Sequence, residues 1–228
     1  MKLLPMLALS CTAIALSGCS TKSPEKDRAP VPIDIIPASA WNSTPQSLAG
    51  REHTPQFITI HHAGVIWAAD SVPETKLKNL QSWGQRDKDW PDVPYHFMIS
   101  PDGRVFEGRD TAYEPETNTN YDTMGHINIQ LWGNFNEQRV TEAQLRSAVL
   151  TAAKVAQDLE IETSTIGGHL DRTNDTSCPG EDLHRYISDG TFEMWVNDVL
   201  AGKEPVIEMR EPLPAGPFPF VGELFPDQ

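Results

Sequence analysis

Apolar residues along the chain fall into distinct rhythms, and each rhythm predicts an element. Phe57-Ile58-Thr59-Ile60-His61 is a short apolar run of the kind that forms a buried strand. Leu77, Leu80 and Trp83 recur near helical spacing within Pro73 to Lys88. Tyr95 to Ser100 and Arg104 to Glu107 flank Pro101-Asp102-Gly103, whose fixed proline and permissive glycine predict a hairpin turn. His126 to Trp132 reads as a further strand. From Thr141 to about Leu159, Leu145, Ala148, Val149, Ala152 and Val155 line one helical face. Thr141 followed by Gln144 is a capping box that starts this helix. Gly180 to Leu200 supplies one or two more helices. Strands alternating with helices, one connection being a hairpin, predict an α/β fold: a single domain over 47–200 with a central mixed β-sheet flanked by helices.

The flanks have other patterns. Residues 1–18 open with Met1-Lys2, run apolar from Leu3 to Leu16 save Ser10 and Thr12, and close on Ser17-Gly18. A positive start, a short apolar run and small residues describe a secretory signal peptide, too short to span a bilayer. Leu16-Ser17-Gly18-Cys19 resembles the bacterial lipobox. That resemblance implies cleavage before Cys19, its lipidation, and attachment to a membrane through this N-terminal lipid anchor. Ser20 rather than Asp at the next position implies sorting to the outer membrane, facing the periplasm. Residues 19–46 carry five prolines and read as a tether, with Ile33 to Ile36 apolar enough to dock on the domain. Residues 201–228 form a second proline-rich tail, where Phe218, Phe220 and Phe225 favour packing over free extension.

Charge narrows the partners. A formal net charge of −14 repels a phosphate backbone, so nucleic acid is excluded as a partner. The three cysteines then become informative: Cys11 leaves with the signal, Cys19 carries lipid, and Cys178 is left alone. A lone cysteine in an oxidising compartment serves either as a small buried apolar residue or as a metal ligand.

Candidate ligands fall in two clusters. His61-His62 ends a strand, where side chains alternate, so only one of the two faces a given site. Gly167-Gly168-His169-Leu170-Asp171 is followed, nine residues after His169, by Cys178-Pro179-Gly180. Two imidazoles and a thiolate suit Zn2+ and leave a fourth position open to water. Singly, each residue also fits a plainer role, as a hydrogen-bonded histidine or a packed thiol.

Four blocks occur in order: Phe57-Ile-Thr-Ile-His-His-Ala-Gly64, Asp92-Val-Pro-Tyr-His-Phe-Met-Ile99, Asp102-Gly-Arg-Val-Phe-Glu-Gly-Arg-Asp110, and Gly168-His-Leu-Asp171 with Ser177-Cys-Pro-Gly180. Together they resemble the type 2 N-acetylmuramoyl-L-alanine amidases, a group that includes peptidoglycan recognition proteins and phage amidases. The resemblance implies zinc held by His61, His169 and Cys178, with Tyr95 supporting catalysis beside the metal. It implies hydrolysis of the amide joining N-acetylmuramic acid to L-alanine, with peptidoglycan or a muropeptide as substrate. Recognition-only relatives lack the third ligand. The alternatives are a non-catalytic peptidoglycan-binding lipoprotein and a structural lipoprotein tethering membrane to wall.

Some positions depart from the family pattern. The loop from His169 to Cys178 is one residue longer than in the phage and recognition proteins, and one shorter than in a bacterial branch that uses aspartate as third ligand. Gln130 stands where that branch has a catalytic glutamate, and Thr176 where the phage enzymes have lysine. Thr176 can donate one hydrogen bond to a developing oxyanion but brings no charge. His62 and His96 read as structural or supporting groups, and Asp171 as the acid that orients a ligand histidine through its second nitrogen. Arg109 reads either as a partner for a stem-peptide carboxylate or as a surface ion-pair residue.

Overall fold

The computed structural model describes residues 29–42 and 44–213. The signal segment, Cys19 and the aromatic end of the C-terminal tail (Phe218, Phe220, Phe225) lie outside the described residues. The elements in chain order are β1 (Ile35–Ile36), β2 (Phe57–His62), α1 (Pro73–Asp87), β3 (Phe97–Ile99), β4 (Val105–Glu107), β5 (His126–Leu131), α2 (Glu142–Asp158), β6 (Gly167–Gly168), α3 (Glu181–Ser188) and α4 (Thr191–Leu200).

Six strands form one sheet in the order β1-β4-β3-β5-β2-β6. Only β3 and β4 pair antiparallel, through the hairpin turn at Pro101-Asp102-Gly103; every other pairing is parallel. The sheet is therefore mixed, as the alternation of patterns predicts. β2 and β5 are its longest strands and pair along their whole length, with His61 opposite Gln130 and Thr59 opposite Asn128. Because side chains alternate, Ile58, Ile60, Ile127 and Ile129 point to one face while Thr59, His61, Asn128 and Gln130 share the other.

The isoleucine face packs against α2, α3 and α4 through Leu145, Val149, Ala152, Leu183, Tyr186, Phe192 and Val196. Each fully buried leucine, valine or phenylalanine among these contributes about 1.5–3 kcal/mol. A smaller cluster, Trp41, Trp67, Leu77, Met98, Phe106 and Trp132, seats α1 on the opposite side. The start of α2 is fixed locally: Thr141 Oγ1 accepts from Gln144 N at 3.0 Å, and Thr141 N donates to Gln144 Oε1 at 3.2 Å. Gln144 Nε2 also donates to Trp132 O at 2.8 Å, tying the cap to the end of β5.

Part of the stretch read as a tether is built into this core. Ile35–Ile36 adds a parallel edge strand to β4, and Trp41 is 1% exposed with Nε1 donating to Glu107 O at 2.8 Å. Pro32 and Pro37 bracket a strand of two residues at a sheet edge, where a missing N–H costs no ladder bond. Packing thus begins near Val31, ahead of residue 47. The C-terminal segment is likewise laid on the domain as far as it is described: Ile207 is buried, and Arg210 N donates to Tyr186 Oη at 2.8 Å.

Candidate metal centre

The sheet register brings two histidines together. β6 pairs Thr59 with Gly167 and Ile60 with Gly168, so His61 and His169 emerge next to each other, with ring centroids 4.6 Å apart. Gly168 makes the third approach possible: a Cβ there would meet Pro179 Cδ at 2.8 Å. Leu170 N donates to Cys178 O at 2.7 Å, closing the loop that carries the cysteine back to the histidines. Gly180 has φ +86°, and a Cβ there would lie 2.6 Å from Phe135 C. Only glycine can therefore complete the Cys-Pro-Gly turn.

His61, His169 and Cys178 are all buried, and one donor atom from each lies within 4.8 Å of the others. His61 Nδ1 is 3.6 Å from Cys178 Sγ, and His62 N donates to the same sulfur at 3.3 Å. Burial, reinforced by His169, holds His61 well below the usual imidazole range, and burial also lowers His169. Both rings are thus neutral near pH 7, as a ligand must be. Burial pushes the Cys178 thiol up to about 12, against the opposing pull of the His62 N–H. A cation at this point would replace the thiol proton, and two neutral imidazoles with one thiolate match zinc chemistry.

Tyr95 stands beside the triad, its ring 5.3 Å from that of His61. Its phenol is raised well above the usual range by burial, then by Cys178 and Tyr121, with Gln130 acting the other way. The hydroxyl therefore keeps its proton and can donate it in a hydrogen bond. Gln130 sits across from His61 on β5, with a buried Oε1 that has no partner among the described residues. Thr176 Oγ1 accepts from Cys178 N at 3.1 Å, which shapes the cysteine turn and leaves the hydroxyl proton to donate elsewhere.

Two expectations are corrected, and two histidines take the structural role expected of them. Asp171 does not reach a triad histidine; its carboxylate meets His184 Nε2 at 3.0 and 3.1 Å and accepts from Gly168 N at 2.7 Å. His184 is thirteen residues further on, and only the packing of α3 brings it there. Arg109 is neither a surface ion-pair residue nor a peptide contact. It is 0% exposed and donates to Glu114 O and Ala49 O, both at 2.7 Å, because the surrounding loops need their carbonyls satisfied. His96 is buried with both nitrogens in use, Nε2 against Tyr113 O at 3.0 Å and Nδ1 accepting from Asn128 N at 2.9 Å, so it has no lone pair for a metal. His62 also points away from the triad, its Nδ1 accepting from Phe135 N at 3.2 Å.

Sequence reasoning misses Thr119, whose Oγ1 lies 2.6 Å from His169 Nε2. It also misses Tyr121, whose ring is 5.1 Å from His169, and Asn128, which is buried on the same face of the sheet as His61, on the neighbouring strand. The one sequence signal near them is a run of polar residues, Thr117 to Tyr121, just before β5.

A mixed sheet with a buried two-histidine, one-cysteine cluster where β2 and β6 end defines an α/β domain with a candidate metal centre. Residues 51–181, more than half of the 228-residue chain, match the Amidase_2 family, described as N-acetylmuramoyl-L-alanine amidase, and the chain belongs to that family. Peptidoglycan recognition protein 1 of Mus musculus is 28% identical over 185 residues, covering 79% of this chain and 96% of the mouse protein. The crystal structure of Drosophila peptidoglycan recognition protein SD superposes with a TM-score of 0.61 at 25% identity, over 69% of this chain and 94% of that one. The N-acetylmuramoyl-L-alanine amidase LysC from Clostridium intestinale shares the fold, with a TM-score of 0.56 at 19% identity over 70% of this chain and 97% of its own.

Proposed function

We propose that the protein is a zinc-dependent N-acetylmuramoyl-L-alanine amidase, acting on the amide between N-acetylmuramic acid and L-alanine in peptidoglycan or its muropeptides. The observation that carries this reading is the mutual approach, within 4.8 Å, of buried donors from His61, His169 and Cys178. These three residues would hold the ion. When bound, zinc supplies a Lewis acid that polarises a carbonyl and activates water. Around it, the chain's own groups set the electrostatics. Tyr95, protonated and enclosed, donates a hydrogen bond to the oxygen that gains charge as the amide carbonyl becomes tetrahedral. Thr176 offers a second hydroxyl donor from the Cys178 loop, and Gln130 steadies Tyr95 from the floor of the site.

The chain from residue 20 to 228, purified and loaded with zinc, should release stem peptide from cell-wall sacculi, and a chelator should stop the release. Binding to sacculi without release would instead favour a recognition protein. The lipobox-like run Leu16 to Cys19 supports a further proposal, that Cys19 anchors the mature chain to the outer membrane on its periplasmic side. Incorporation of labelled fatty acid, abolished by Cys19→Ala, tests it.

A further inference from the structure

The segment between β4 and β5 reaches over the candidate metal centre, and the proposed amidase chemistry gives it no role. Its base is fixed in the body of the domain. Glu114 accepts from Arg51 Nε and Nη2, both at 2.6 Å, and from Thr123 Oγ1 at 2.9 Å, while Glu114 O accepts from the buried Arg109. From this base the tip makes three separate contacts with the ligand segment. Thr119 Oγ1 is 2.6 Å from His169 Nε2, Asn120 N donates to Asp175 Oδ2 at 3.2 Å, and the Tyr121 ring lies 5.1 Å from the His169 ring. Asp175 belongs to the loop that carries Cys178.

The hydroxyl arrangement allows a chain of hydrogen bonds in which His169 Nε2 is the donor. Thr119 N already donates to Thr117 Oγ1 at 3.1 Å, and the two threonine hydroxyls are 2.9 Å apart. If Thr119 O–H also donates to Thr117 Oγ1, its own oxygen is free to accept, and the His169 Nε2–H is the donor that meets it. That assignment puts the imidazole proton on Nε2 and leaves the lone pair on Nδ1. The reverse tautomer would put a proton on the nitrogen a metal needs.

We propose that Thr119 is a positioning residue for the metal centre: it fixes His169 in the tautomer whose Nδ1 can bind a cation, and with Asn120 it clasps the loop from His169 to Cys178 against that cation. This rests on the zinc reading of His61, His169 and Cys178. The clasp also accounts for how a loop of this length is held in register with the two histidines, since Asp175, three residues before Cys178, is pinned from outside.

Thr119→Val removes the hydroxyl at nearly constant shape, and Thr119→Ser keeps it. Zinc affinity, measured by competition with a chromophoric chelator on the full chain, should fall about 10- to 100-fold in the valine variant, the range typical of lost support behind a ligand histidine. The serine variant should stay within about threefold of the parent protein, and the visible absorption bands of the Co2+-substituted centre should change in the valine variant alone. Parent and valine variant binding zinc equally would overturn the proposal and leave the metal reading intact. So would a valine variant that melts lower when zinc-free yet keeps the parent's affinity and Co2+ spectrum, since Thr119 would then be structural only. A parent protein that takes up no zinc would overturn both.

Discussion

The backbone N–H of His62 donates to Sγ of Cys178 across 3.3 Å, joining residues 116 positions apart in the chain. It is the one group that lowers the thiol, while burial, the larger effect, raises it. A buried sulfur with a single amide donor among the described residues stays protonated at neutral pH, so the pocket is poised for exchange of that proton against a metal. Cys178→Ala should therefore cut bound zinc from about one ion per chain to almost none, measured by elemental analysis after gel filtration. Retention of stoichiometric zinc would remove Cys178 from the ligand set.

Tyr95 contributes a hydroxyl that stays protonated across the working range. Tyr95→Phe should lower kcat by about 10²-fold with zinc content unchanged, the size of effect seen when one oxyanion donor is lost. Unchanged turnover in sacculus digestion would make Tyr95 a packing residue.

Arg109 satisfies two backbone carbonyls from a fully buried position. Arg109→Met should cost about 3 kcal/mol or more in urea denaturation, because both carbonyls lose a charged donor. An effect confined to KM, with stability intact, would instead mark it as a substrate contact.

Trp41 fills the second core cluster from a segment whose prolines suggest a tether. Trp41→Ala should cost about 3–5 kcal/mol, and a chain beginning at residue 47 should melt at clearly lower temperature than one beginning at 29. Equal melting temperatures would show that β1 and Trp41 are dispensable.

His96 gives the domain a defined acid sensitivity. Burial lowers its folded pKa to about 3, whereas an exposed imidazole titrates near 6.5. Above pH 6.5 neither state is protonated and no penalty exists. Below it the unfolded chain takes up a proton the folded chain refuses, so stability falls with pH, by about 1.4 kcal/mol per unit, until the folded ring titrates near pH 3. His62 and His126, each lowered to about 4, act in the same sense. Zinc-free protein should lose stability in urea between pH 7 and 5, and His96→Gln should lose about 2 kcal/mol less across that interval. Equal losses in the two proteins would assign the sensitivity to other groups.

Features set by neighbours along the chain are legible in the amino-acid sequence. The Thr141–Gln144 cap, the Pro101-Asp102-Gly103 hairpin and the strand–helix alternation are local, so pattern alone places them. The ordered motif blocks point to His61, His169 and Cys178, and the parallel pairing of β2 with β6 is what brings them together. Long-range geometry is not legible. Nothing near Asp171 in sequence announces His184, and nothing marks Thr119 as different from the threonine two residues before it. Arg109 misleads for a related reason. An arginine beside acidic residues reads as solvent-facing, and only the folded loops reveal that it is sealed among their carbonyls. β1 is half visible, since two isoleucines between prolines are too few to show a strand period.

The strand order has a mechanical side. The described chain enters at β1 on one edge of the sheet, while His169 follows β6 on the opposite edge. Tension applied to the N-terminal end would load Val31 and its hydrogen bond to Gln157 first, then the short β1–β4 pairing and Trp41. β4, β3 and β5 stand between that edge and β2, which carries His61. A tug from that end would be spent on peeling Val31, two strand residues and one indole, and the histidine pair would keep its spacing until they gave way.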